Sequence, residues 1–66
     1  MKLEFLKKQR LEKGMTILEV SKKLGYSTAN GYWKVETGTV KLTLETFIKL
    51  IEILELDINI ALKEIY

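Results

Sequence analysis

The sequence predicts an all-α fold, a compact domain of four or five short helices in which the second and third are joined as a helix-turn-helix. Three observations predict it. Apolar residues recur at three- and four-residue spacing through most of the chain. Glycines at 14, 25 and 38 divide that pattern into helix-length pieces. Helix-start residues, Thr16 and Thr43, stand directly before two of the pieces.

The bounds set by composition agree with a small binding domain. A chain of 66 residues is one domain, and one this short buries only ~60% of its unfolded surface. There is no cysteine and no histidine. That removes disulfides, thiolate metal sites, the commonest general base and the commonest metal ligand. Nine carboxylates remain, but no phosphate-binding loop accompanies them, and a domain this small lacks a cleft to desolvate them. No enzyme, metal or cofactor is expected. The opening "MKLEFLKKQRLEKG" has no long apolar run, so neither a signal peptide nor a membrane span is expected, and the cytoplasm is the default location.

Charge is distributed unevenly. Residues 1–14 set Lys2, Lys7, Lys8, Arg10 and Lys13 against Glu4 and Glu12, a net +3. Residues 15–41 set Lys22, Lys23, Lys34 and Lys41 against Glu19 and Glu36, a net +2. Residues 42–66 set Lys49 and Lys63 against Glu45, Glu52, Glu55, Asp57 and Glu64, a net −3. Such asymmetry suits one face toward a polyanion and another toward protein, although counts this small also arise by chance.

The first helix is expected over residues 2–13, with Leu3, Leu6 and Arg10 on one face, Leu11 beside them, and Gly14 ending it. The second opens on a capping box, Thr16 with Glu19. Ile17, Val20, Ser21 and Leu24 line one face before Gly25 stops it. The third runs from Ala29 to about Thr37, capped by Ser27 or Thr28, with Tyr32 and Val35 inward and Gly38 at its end. The fourth is capped by Thr43 and carries a strong apolar stripe: Leu44, Phe47, Ile48, Leu50, Ile51 and Leu54.

The tail fits two readings. Leu56 to Lys63 alternates apolar and polar residues, with three isoleucines in the tail, which favours a C-terminal β-strand. A lone strand has no ladder partner, so Ile58, Ile60 and Leu62 would pair with a second copy as an antiparallel ribbon, making a homodimer. The alternative is a helix capped by Asp57 that buries Ile58, Leu62 and Ile65. Residues 1–56 are expected to form the helix-turn-helix domain and 57–66 a C-terminal tail for dimerisation, with a frayed terminus as the bland alternative.

Two short helices joined at Gly25 by a tight turn form a helix-turn-helix, whose second helix can enter the DNA major groove. The chain resembles the Cro/CI-type (Xre-family) helix-turn-helix of phage repressors and small bacterial regulators from Leu6 to Leu56. The resemblance rests on Arg10, "KGMT" (13–16), "VSKKLGY" (20–26), "KVETG" (34–38) and "LETFIKLIEIL" (44–54). It implies a lambda repressor-like fold, double-stranded DNA as partner, and an ion pair between Arg10 and Glu36. Small members of the family also serve as antitoxins that bind a toxin as well as operator DNA. Two departures stand out. Ile17 occupies the place where similar proteins usually carry a phosphate-contacting glutamine. The stretch from Gly25 to Glu36 is one residue longer than the commonest pattern, which places an extra residue in "YSTAN".

With Tyr32 and Val35 inward, Asn30, Trp33, Lys34 and Thr37 face outward, and Thr28 and Ala29 lead into the groove. Asn30 is the foremost candidate for base readout, since an amide pairs bidentately with adenine; its alternative role is a helix cap. Ala29 or the Thr28 methyl suits a thymine methyl. Ser27, Lys34, Thr39 and Lys41 suit phosphates, though a surface lysine is more often simply solvated. Trp33 either packs on sugar and bases or closes the core against the fourth helix. Gly31 permits close approach of the second helix, or lets the backbone bend where the turn is long.

Overall fold

The computed structural model describes residues 2–66. It holds five helices: α1 (Glu4–Glu12), α2 (Ile17–Lys23), α3 (Asn30–Glu36), α4 (Leu44–Ile53) and α5 (Ile58–Ile65). All five surround one core built from Leu6 of α1, Val20 of α2, Tyr32 and Val35 of α3, Leu42, Phe47, Leu50 and Leu54 around α4, and Ala61 and Ile65 of α5. Burying a large apolar side chain contributes roughly 1.5–3 kcal/mol, so α5, with two core residues, belongs to that core. None of the described helices is long and apolar enough to cross a membrane.

Local chemistry sets the helix boundaries. The Thr16 hydroxyl accepts the Glu19 N–H at 3.1 Å, and the Glu19 carboxylate accepts the Thr16 N–H at 3.0 Å, closing the expected capping box. That backbone bond above all, then the Thr16 hydroxyl, lowers the Glu19 pKa. Thr43 caps α4 through the Thr46 N–H at 3.2 Å. Helices α1, α2 and α4 end alike, the next residue turning left-handed so that the amide after it reaches back five residues: Met15 to the Arg10 carbonyl, Tyr26 to Ser21, and Leu56 to Ile51. Gly14 and Gly25 take that conformation freely, at φ +67° and +100°. At the end of α4 it falls to Glu55, at φ +52°, where an L side chain is strained.

The tail departs from the strand expectation: residues 58–65 are helical. The Asp57 carboxylate accepts the N–H groups of Asn59 (2.9 Å) and Ile60 (3.2 Å), which starts the helix. A solitary strand would leave its backbone groups unpaired, whereas a helix satisfies its own. Ala61, outward in the alternating pattern, is fully buried together with Ile65, four residues on. With these residues helical no ribbon edge forms, and Ile58, Ile60 and Leu62 are exposed by 49%, 53% and 44%, so the helical alternative is right about Ile65 but not about burying Ile58 and Leu62. Leu11, Leu44 and Ile48 also lie on the surface. The apolar stripe of α4 is therefore wider than the part of it the core covers.

Candidate nucleic-acid interface

Helix α3 reads poorly as a helix, since its first two residues, Asn30 and Gly31, are weak formers. It is held from outside. α2 packs chiefly on α3, and at that contact the fully buried Ser21 hydroxyl donates to the Thr28 carbonyl and accepts the Tyr32 N–H at 3.1 Å. That amide is one of the donors a helix N-terminus leaves open, normally met by the preceding cap residue. Here a serine of the neighbouring helix meets it. Neither Ser27 nor Thr28 caps α3, and the helix begins one residue later than expected. Ala29 holds the cap position in αR geometry with no side-chain bond.

The far end of α3 is anchored by charge. The Arg10 Nε donates to Glu36 Oε2 at 3.1 Å and Nη2 to Oε1 at 3.1 Å. Nη1 donates to the Met15 carbonyl at 2.9 Å. Both side chains are buried, at 7% and 5% exposure. The pair expected from the resemblance is present, and it ties α1, the α1–α2 turn and α3 together. The Tyr32 hydroxyl is buried, and no group among the described residues meets it with hydrogen-bond geometry. Burial first, and then the negative Glu36, raise its pKa well above the ordinary phenol value.

At about 100° per residue, burial of Tyr32, Val35 and Glu36 turns Asn30, Lys34 and Thr37 outward, and all three are exposed. The Asn30 side chain makes no hydrogen bond to any described residue and caps nothing. The Thr37 hydroxyl donates to the Trp33 carbonyl at 2.8 Å and lies 3.0 Å from the Thr39 hydroxyl, so it is partly engaged within the protein. Ser27, Thr28, Lys34, Thr39 and Lys41 are exposed, and Ala29 is half-buried.

Trp33 is 45% exposed. It lines a cleft of about 410 Å³ with Leu3, Glu4, Lys7 and Arg10 of α1 and its approach, Ile17 of α2, and Gly38. It leans toward α1, so it does not close the core against α4. Ile17, in the place of the usual phosphate-binding residue, shares that cleft. Sequence reasoning missed two residues here. Ser21 had its inward face assigned but not its bond to Tyr32. Tyr26 passed as plain turn, and Gly31 was read as making room for α2, whereas a Cβ there would meet the Tyr26 ring.

A helix that buries one face, a glycine turn and a second helix with one polar face outward define a helix-turn-helix domain. A helix-turn-helix family profile of the Cro/CI type matches residues 6–60, and the chain belongs to this family of DNA-binding regulators. Comparison with curated proteins and with solved structures gave no match.

Proposed function

We propose that the protein is a sequence-specific transcriptional repressor that binds a palindromic operator as a homodimer. The observation that carries the reading is the outward strip of α3, where Asn30 stands exposed with an amide that bonds to none of the described residues. Asn30 pairs with an adenine edge, and Ala29 or the Thr28 methyl meets a thymine methyl. Ser27, Lys34, Thr39 and Lys41 hold phosphates and fix orientation. Trp33 packs its exposed edge on the sugar–phosphate wall, and Thr37 closes the strip. Such a protein, acting on bacterial or phage DNA, works in the cytoplasm.

Size supports two copies. The longest dimension of one chain is 30 Å, less than the ~34 Å between half-sites on one face of DNA. The exposed apolar side chains Ile58 and Leu62 on one stripe of α5, with Tyr66 beyond them, supply a helical surface for pairing in place of a ribbon. Ile60 lies off that stripe. A toxin partner is the second reading. It is favoured by the net −3 of residues 42–66 and by the exposed Leu44 and Ile48.

Selection from random duplex DNA tests the leading reading. An enriched palindrome with half-sites about one turn apart, bound more weakly as salt rises, is expected. No enrichment and no salt dependence would overturn it. Sedimentation of I58E/L62E tests the pairing surface. A monomer is expected, and an unchanged dimer would move the interface elsewhere.

A further inference from the structure

Gly31 lies inside a helix with ordinary backbone angles, so no turn requires it. Its neighbour does. A Cβ built at position 31 would lie 2.6 Å from both Cδ atoms of Tyr26 and closer still to Cγ. The ring of Tyr26 therefore rests flat on the backbone of the first turn of α3, in the space a side chain would fill. Tyr26 is nonetheless 44% exposed. Gly31 covers one face of the ring at its Cγ end, and the exposure falls on the rest of the side chain.

The flank on which the ring is seated follows from helical geometry. The outward strip of α3 is Asn30, Lys34 and Thr37; at about 100° per residue, Gly31 lies on one flank of it and Trp33 on the other. A helix with its side chains is ~10–12 Å across, and the major groove is ~12 Å wide. A helix seated there turns its strip to the base edges and its flanks to the two sugar–phosphate walls. The strip is thus bordered by two half-exposed aromatics, Trp33 toward α1 and Tyr26 on the side of the turn.

We propose that Tyr26 is a further DNA-contacting residue, its ring seated on Gly31 so that its phenol hydroxyl donates to a phosphate on the groove wall beside Asn30. The residue added to the turn supplies the reach for this contact, and Gly31 is kept because any larger residue evicts the ring. The inference rests on the DNA-binding reading above.

The test compares the full-length protein with Y26F, Y26A, G31A and Y26A/G31A on the selected duplex and on a scrambled one, alongside helix content and urea midpoints. Y26F should bind about tenfold more weakly per half-site, the worth of a hydrogen bond to a charged group, and so about a hundredfold more weakly as a dimer on two half-sites. The loss should be equal on both duplexes, because a phosphate carries no sequence. G31A should lose a similar factor with no fall in urea midpoint, and the double variant should bind no worse than Y26A. Wild-type affinity in Y26F, or a loss on the selected duplex alone, overturns the phosphate contact. Wild-type affinity in G31A, or additive losses in the double variant, overturns the seat on Gly31. Failure of the wild-type protein to bind either duplex would instead remove the DNA-binding reading, and this assignment with it.

Discussion

Removing one member of the Arg10–Glu36 pair should nearly unfold the protein, while removing both should not. In R10M the buried Glu36 carboxylate loses both donors, at 3.1 Å each, and the Met15 carbonyl loses its 2.9 Å partner. In E36L the guanidinium keeps only Met15. Each single change strands a buried group and should cost about 3–5 kcal/mol. The total stability of a 66-residue chain is roughly 3–10 kcal/mol, so either variant approaches the unfolding threshold. R10M/E36L removes both charges and replaces them with apolar volume, so it should cost at least ~3 kcal/mol less than the sum of the singles. Urea unfolding followed by circular dichroism reads this directly. With a slope of about 1 kcal/mol per molar, each single should lower the midpoint by ~3 M or more. An excluded osmolyte keeps the singles folded enough to measure. Singles costing below ~1 kcal/mol, or a double costing their full sum, would show that the pair behaves like a solvated surface bridge and refute the reasoning.

Three further outcomes follow from the same helices. S21A leaves the Tyr32 N–H without its acceptor and should cost about 1–3 kcal/mol in urea unfolding; a neutral result would mean that this amide finds another partner. Y32F removes a buried hydroxyl with no hydrogen-bond partner among the described residues, so it should be neutral or stabilising by up to ~1 kcal/mol, and a clear loss of stability would reveal a hydrogen bond there, to Glu36 above all. E55G relieves the left-handed backbone at φ +52° and should stabilise by about 1 kcal/mol; the Lys13–Glu55 contact it removes, at 3.9 Å with Glu55 77% exposed, is worth little. A lower midpoint in E55G would count against strain at that turn.

The sequence carried most of this arrangement where the determinants are local. Thr16 with Glu19, Thr43, and the glycines at 14 and 25 mark helix ends through bonds to residues near in the chain. The Arg10–Glu36 pair was legible only through resemblance, because 26 positions separate its members. Where local and distant effects compete, the pattern misleads. Leu56 to Lys63 alternates as a strand does, yet the outcome depends on Asp57 capping and on whether Ala61 and Ile65 find the core. The start of α3 was misplaced for the same reason: its N-terminal amide is served by Ser21, on another helix. Tyr26 escaped notice because a half-exposed aromatic in a turn has no periodicity, and only the space above Gly31 shows where its ring goes.

The Lys2 N–H donates to the Ile65 carbonyl at 2.9 Å, joining the chain two residues before α1 to the last residue of α5. That amide can exchange its proton with solvent only when the two ends separate. Its deuterium uptake is therefore a clock for the undocking of α5, readable at a single backbone site without any label. If the end helix opens on its own, the Lys2 amide should exchange far faster than the amide of Tyr32, which lies under the whole core. If the two exchange at one rate, the five helices come apart as a single unit.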